Sequence, residues 1–200
     1  MEKKYKLTEE TINVNGKTLY RIEALMDFGD VKKGDKGGFI EKECNLSQRG
    51  DCWVYDNAQI YDDAMVCGNA RIFDNVKIYG YAKVFINANI YGNAQVYNNA
   101  KVFGNAEVRG NAHVYDDAEV YGNAEVYGYT MVYGDAEVCD NAIISGNAKV
   151  YGNAKVYDDA LVYGNAKVYA NAEVGGDAKV YGNAEFCDNT IVYGDAVVCG

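Results

Sequence analysis

Apolar and polar residues follow a six-residue period from Gly50 to Cys199, in 25 consecutive hexads without an insertion or a deletion. The fifth position of each hexad is Val or Ile in 24 cases and Phe186 in the remaining one. The third position is Ala in 21 hexads, the second is Asn or Asp in 23, and the sixth is Tyr or Phe in 18. A short period maintained over this length predicts a stacked repeat architecture.

Each hexad predicts one short strand and one corner. Positions three and five lie two residues apart, so their side chains share one side of an extended segment while position four points away. The Gly, Asp and Asn residues at positions one and two tolerate the left-handed backbone of a tight corner. Because strands this short cannot build hairpins with a core, we expect a climbing coil whose rungs lie ~4.8 Å apart.

The recurring phrase Val-Tyr-Gly-Asn-Ala-Lys resembles the hexapeptide repeat of left-handed parallel β-helix proteins, and the resemblance covers residues 50–199. In that family three hexads close one triangular coil, and the left-handed sense is implied by the resemblance alone. The implied fold is all-β, a left-handed parallel β-helix of about eight coils, ~40 Å long at the spacing of parallel strands. An N-terminal β-hairpin caps it.

The N-terminal segment differs in kind from the repeats. We expect residues 1–43 to form a β-hairpin and cap, and residues 44–200 to form the β-helix. Asn15-Gly16 lies between two alternating segments, which is typical of a two-residue hairpin turn. Trp53 is expected to lie beneath this cap. Five apolar residues are expected to close the open end of the helix: Leu25, Met26, Phe28, Phe39 and Ile40.

A second resemblance concerns origin. The segment GGFIEKECNLSQ followed by GDCWVYDNA is similar to the start of hexapeptide-repeat proteins of bacteria and their prophages, which are often labelled transferase-like. It implies a phage or mobile-element origin.

The sequence shows no apolar leader and no membrane-spanning stretch. With six cysteines and no Cys-x-x-Cys motif, we expect free thiols in the cytoplasm, that of the host if the protein is phage-encoded.

Charge is unevenly distributed along the chain. Residues 1–49 carry a net charge of +1, and residues 50–200 carry nine Lys or Arg against twenty Asp or Glu, a net charge of −11. We expect no direct binding to nucleic acid, because such a rod repels phosphates. The same surface is a candidate mimic of DNA toward a host protein that binds nucleic acid.

The resemblance also implies an enzyme class, because many hexapeptide-repeat proteins are trimeric acyltransferases that use acyl-CoA and a histidine base. His113 is the sole histidine and the candidate base, yet it takes the outward fourth position of an ordinary hexad. No insertion interrupts the repeats to build a pocket that excludes water. We therefore expect a non-enzymatic protein without a cofactor, with the acyl-CoA-dependent acyltransferase as the alternative.

One corner column offers a candidate cation site. Asp159, Asp177 and Asp195 follow one another at intervals of 18 residues, in a column that holds asparagines earlier in the chain. Carboxylates at rung spacing repel one another unless a cation lies between them. These three aspartates are the candidate ligands for a Ca²⁺-like ion; no other metal site is expected.

The outward residues favour binding to a protein partner or self-association as a dimer or trimer. One column of sixth positions holds seven tyrosines in successive coils: Tyr61, Tyr79, Tyr97, Tyr115, Tyr133, Tyr151 and Tyr169. A structural ladder explains such a column, and tyrosine is also a good interface residue. Apolar residues at outward fourth positions add to this surface: Met131, Ile143, Leu161, Ile191 and Val197. We predict a β-helical scaffold that acts through these surfaces.

Overall fold

The computed structural model describes residues 3–200 and confirms the predicted fold, a parallel β-solenoid of the left-handed β-helix type. Three strands precede the repeats, β1 (Tyr5–Val14), β2 (Lys17–Ala24) and β3 (Lys36–Ile40), followed by a single 3-10 turn at Glu43–Asn45. Each of the 25 hexads then contributes one strand, from β4 to β28.

The repeat strands are, in chain order, β4 (Trp53–Val54), β5 (Gln59–Ile60), β6 (Met65–Val66), β7 (Arg71–Ile72), β8 (Lys77–Ile78), β9 (Lys83–Val84), β10 (Asn89–Ile90), β11 (Gln95–Val96), β12 (Lys101–Val102), β13 (Glu107–Val108), β14 (His113–Val114), β15 (Glu119–Val120), β16 (Glu125–Val126), β17 (Met131–Gly134), β18 (Glu137–Val138), β19 (Ile143–Ile144), β20 (Lys149–Gly152), β21 (Lys155–Val156), β22 (Leu161–Val162), β23 (Lys167–Val168), β24 (Glu173–Val174), β25 (Lys179–Tyr181), β26 (Glu185–Phe186), β27 (Ile191–Val192) and β28 (Val197–Cys199).

The repeat strands form three parallel sheets, because every strand pairs with the strand three hexads later. Gln95 on β11, for example, is the register partner of Lys77 on β8 and of His113 on β14. The first face runs from β5 through every third strand to β26, the second from β4 to β28, and the third from β6 to β27. The coil length of 18 residues is therefore the one that three hexads predict.

The core is a narrow column of Ala and Val or Ile side chains. Almost every third-position and fifth-position residue from Val54 to Val180 is fully buried, and together they form one continuous cluster. Small and branched residues alternate along each strand, which fills the interior at the density of a normal protein core. Thr130 takes an alanine position in this column and is fully buried.

The corners depend on position one of the hexad. All 25 first-position residues have a positive φ, whether they are Gly, Asp, Asn, or the exceptions Ile86 (φ 64°) and Ala170 (φ 59°). The sequence predicts left-handed geometry for positions one and two together, and the structure restricts it to position one. A Cβ atom at Gly110 would lie 3.1 Å from the backbone nitrogen of Gly128 in the next coil, so glycine also suits the close approach of the corners.

The hairpin is confirmed and is continuous with the solenoid. β1 and β2 are antiparallel around Asn15 and Gly16, which both have positive φ. β3 pairs with β2 in antiparallel fashion and with β5 in parallel, so it belongs to both the cap and the first face. A Cβ atom at Gly38 would lie 2.5 Å from the carbonyl oxygen of Ala58; glycine therefore lets β3 pass close to the first coil.

The cap closes the first coil in part as predicted. Trp53 is fully buried, in edge contact with Tyr5 (6.1 Å between ring centroids) and Phe28 (5.4 Å). Ile40 joins the main core and Phe28 packs against it, but three of the predicted plugs, among them the half-buried Leu25, do neither. Met26 is exposed, and Phe39 packs outside the solenoid. All six cysteines are free, as predicted, and no helix within residues 3–200 has the length and apolarity needed to cross a membrane.

Candidate interaction surface

Seven tyrosines form a continuous stack along the first face. Neighbouring ring centroids lie 4.8–5.0 Å apart, with interplanar angles of 0–3°. The spacing is that of the rungs, because each tyrosine takes the sixth position of its coil. Cross-strand aromatic pairs of this kind contribute about 0.2–1 kcal/mol each. The predicted ladder is therefore present, and it stiffens this face along its length.

Tyr61 requires a correction to the predicted binding surface. It is only 4% exposed and packs against Leu19 and Phe39 of the cap. The prediction that Tyr61 contributes to a partner-binding surface is wrong, because the hairpin lies over it. The six remaining rings of the stack, from Tyr79 to Tyr169, are half-buried and line the open part of the face.

Each sixth-position side chain leans toward the fourth position of the next coil. The Tyr79 hydroxyl donates to Gln95 Oε1 at 3.4 Å, and the ring of Tyr97 lies edge-on to His113 at 6.1 Å. The same step of 16 residues joins Tyr91 to Glu107 on the second face. On the first face it brings the stack beside one row of side chains: Lys77, Gln95, His113, Met131, Lys149, Lys167 and Glu185. We call the six open rings and this row the tyrosine face.

The tyrosine face is positively charged on an otherwise acidic rod. Its row contains three lysines and one acidic residue, Glu185, which pairs with Lys167 at 2.5 Å. The corners, by contrast, carry most of the aspartates of the repeats. This separation of charge was not predicted from the sequence.

Burial raises the pKa of several phenols in the stack. It raises the pKa of Tyr97 to about 12, with smaller contributions from the neighbouring phenols of Tyr79 and Tyr115. Burial also raises the pKa of Tyr79, Tyr115 and Tyr133 above the usual value for tyrosine. At neutral pH the face therefore presents hydroxyl groups that both donate and accept hydrogen bonds.

His113 lies within the tyrosine face, not in a separate pocket. It takes the outward fourth position on β14 and is half-buried, and this burial lowers its pKa. Within residues 3–200 no carboxylate forms a hydrogen bond or ion pair with its imidazole. A general base normally has a third group that orients it, and His113 has the edge of Tyr97 instead.

The apolar candidates are distributed over all three faces. Met131 belongs to the tyrosine face. Ile143 and Leu161 are register partners on the second face and are half-buried. Ile191 and Val197, in the last coil, are 67% and 61% exposed. The fold therefore does not gather these residues and the tyrosines into one binding surface.

The predicted cation site is not formed. Asp159 does lie in a corner column with the asparagines, since the Asn141 amide donates to its carboxylate at 2.9 Å. No set of three His, Cys, Asp or Glu side chains converges as metal ligands anywhere in residues 3–200. Asp159, Asp177 and Asp195 are thus corner residues at the end of an amide ladder.

A groove on the third face was not predicted from the sequence. It lies between the fourth-position row and the corner column that contains Tyr81, and its cavity volume is about 560 Å³. The available signal was Tyr81 itself, one of two residues that replace Asn or Asp at position two.

Two comparisons with known proteins agree with this architecture. A family model described as the YdcK β-solenoid repeat matches residues 58–71. Together with the fold, these matches fit the hexapeptide-repeat β-helix family. This β-helix protein is also 46% identical over 54 residues to a protein of Escherichia coli (strain K12) named "Uncharacterized acetyltransferase YdcK". The match covers 26% of this chain and 17% of that relative.

Proposed function

We propose that the chain is a non-enzymatic β-solenoid scaffold that binds a protein partner through the tyrosine face. The observation that carries this proposal is the row of six open, parallel tyrosine rings on one uninterrupted face. Tyrosine supplies contact area at a low cost in side-chain entropy, and it is enriched at the energetic centres of interfaces. Stacking has already restricted these rings, so binding would cost them little further freedom.

The charge of the face supports an acidic partner surface. Lys77 and Lys149 have no ion pair within residues 3–200, and Lys167 has one at the end of the row. Association between such a strip and an acidic surface would be fast and sensitive to salt. The same charge disfavours pairing of this face with itself, since lysines would then oppose lysines.

The test compares two charge-reversed variants as bait. Lys149→Glu alters the tyrosine face, and Lys179→Glu makes the same change on the second face. We expect proteins retained by the wild type to be lost with the first variant and kept with the second. Light scattering at two salt concentrations would identify self-association. Retention of the same proteins by both variants would overturn the proposal.

The acidic corners support a DNA-mimicking role less well. Duplex DNA carries one charge per ~1.7 Å of axis. The repeats carry a net charge of −11 over ~40 Å, or one per ~3.6 Å at the rung spacing. The rod thus has about half the charge density of the duplex that it would imitate. Competition by DNA for the partner found with the bait would support mimicry, and its absence would count against it.

The second candidate is an acyltransferase, and one observation favours it. The similar protein of Escherichia coli is named an acetyltransferase, and His113 would be the base in this chain. A lowered pKa would keep its imidazole neutral and able to accept a proton at neutral pH. Release of free CoA from acetyl-CoA by the wild type, lost in His113→Gln, would support this candidate. A monomer or dimer without turnover would exclude it.

A further inference from the structure

The charge of the groove on the third face changes sign along its length. Its fourth-position wall holds Lys83 and Lys101 on successive strands, then Glu119 and Glu137 on the next two. Lysine therefore adjoins lysine, and glutamate adjoins glutamate, with one favourable contact where the two halves meet. That contact is the Lys101–Glu119 ion pair at 2.7 Å. The groove is basic toward the cap and acidic toward the C-terminal coils.

Like charges opposite one another on neighbouring strands destabilise a sheet. Part of this repulsion is relieved within the protein, since Glu137 pairs with Lys155 at 3.2 Å. At the two ends of the groove, Lys83 and Asp135 have no ion pair within residues 3–200. A ligand with a negative group at one end and a positive group at the other would reduce the repulsion between like charges in both halves of the groove.

Tyr81 marks the basic end of the groove. It takes the second hexad position, where 23 of 25 hexads have Asn or Asp, and it is 62% exposed. The corner wall that contains it begins one coil earlier with Asp63, whose carboxylate is paired with Lys42 at 2.6 Å. The same wall later contains Asp117 and Asp135. An exposed aromatic side chain beside a lysine pair gives this end of the groove an apolar surface as well as a charge.

We propose that this groove binds a short peptide with free ends, its carboxylate at Lys83 and Lys101 and its ammonium at Asp135 and Glu137. Lys101 lies two rungs before Asp135 and Glu137, or ~10 Å at the spacing of parallel strands, and Lys83 lies one rung further away. An extended tripeptide spans about the distance from Lys101, at ~3.3 Å per residue. A single amino acid is too short to reach both halves, and this sets the size of the ligand.

The proposal is tested on the full-length chain by following backbone amide shifts during titration with triglycine. We expect saturable shifts at the groove, and binding about tenfold weaker for N-acetyl-triglycine amide, which lacks both charges. Glycine should not compete. Equal binding of the free and blocked peptides, or no saturable shift with triglycine, would overturn the proposal.

Four variants locate the site. Lys83→Gln and Asp135→Asn each remove one unpaired end group and should weaken triglycine binding by about tenfold. Lys179→Gln and Asp195→Asn make the same chemical changes outside the groove and should leave binding unchanged. All four positions are exposed, so the folded state should be retained. Equal effects of both pairs would contradict the assigned site. The tyrosine face is unaltered in every variant, so this outcome is independent of the proposed function.

Discussion

The first coil and the middle of the solenoid satisfy their backbone carbonyl groups with partly different hydrogen-bond donors. Within the repeats, N–H groups of each coil donate to carbonyls of the next one, as Trp53 N does to Ala70 O (3.1 Å) and Tyr55 N to Ile72 O (2.7 Å). The first coil has no earlier coil to supply donors to its own carbonyls. On two faces backbone N–H groups of the preceding segment provide them, as Phe39 N does to Ala58 O (2.8 Å) and Ser47 N to Val66 O (2.9 Å). On the remaining face a side chain does so, and there the cap is chemically unlike the repeats.

Lys4 is the clearest example of this difference. Its ammonium is almost fully buried and donates to the carbonyl oxygens of Gly50 (3.1 Å) and Cys52 (2.9 Å). The Tyr5 hydroxyl donates to the carbonyl of Leu46 at 2.7 Å. Burial lowers the pKa of Lys4, which means that the charged ammonium is destabilised. Its hydrogen bonds offset this cost, because the carbonyl groups at the end of a sheet otherwise have no donor. A repeat is stabilised by its copies, whereas a terminal coil needs unique residues.

The largest expected effect removes the aromatic centre of the cap. Trp53→Ala should lower the free energy of unfolding by about 3–5 kcal/mol, because it empties a fully buried site between Tyr5 and Phe28. Urea unfolding followed by circular dichroism measures the change. Tyr81→Ala, at an exposed corner, is the control and should change stability by about 0.5 kcal/mol or less. Similar losses for both variants would contradict the unique role of the cap.

Removal of the buried ammonium tests whether Lys4 stabilises the first coil through its hydrogen bonds to backbone carbonyl groups. Lys4→Met should destabilise the protein by about 1–3 kcal/mol, because it leaves the Gly50 and Cys52 carbonyls without a donor in a buried site. The exposed neighbour Lys6 pairs with Glu23 on the hairpin surface, and Lys6→Met is the matched control. Equal falls of the thermal unfolding midpoint in the two variants would contradict this role of Lys4.

A more regular repeat should be a more stable one. Ile86 is a β-branched residue at a left-handed corner (φ 64°) where glycine is common. Ile86→Gly should therefore raise the free energy of unfolding by about 1 kcal/mol. Gly110→Ala, at an equivalent corner of another coil, should lower it, because the new Cβ would lie 3.1 Å from the Gly128 backbone nitrogen. Urea midpoints that move in the same direction for both variants would refute this interpretation.

The smallest expected effect is a loss of stability in alkaline solution. The pKa of Tyr97 is raised to about 12, whereas phenols of the unfolded chain ionise near pH ~10. The folded protein thus binds more protons between these values, and the free energy of unfolding falls as pH rises through this range. Urea midpoints across the range should decline less steeply in Tyr97→Phe. An unchanged slope would show that the stack does not control this titration.

The fold and the ladder were predictable because both follow from a local period. Ala and Val at positions three and five specify the inner face, and a period of six places Tyr97 above Tyr79 once three hexads close a coil. The site was less predictable. Tyr61 belongs to the same column by sequence, and only the position of the hairpin reveals that Leu19 and Phe39 cover it.

The sequence by itself determined the strands, the corners, the register and the tyrosine column, since each depends on residues within one hexad or at a fixed multiple of it. Only the tertiary structure decided which rings remain open, how Lys4 completes the first coil, and where lysines and acids face each other across a groove. These features depend on contacts between residues without a common period. Local patterns specify how a coil repeats, while its end and its exposed surface are set by whichever distant segment packs there.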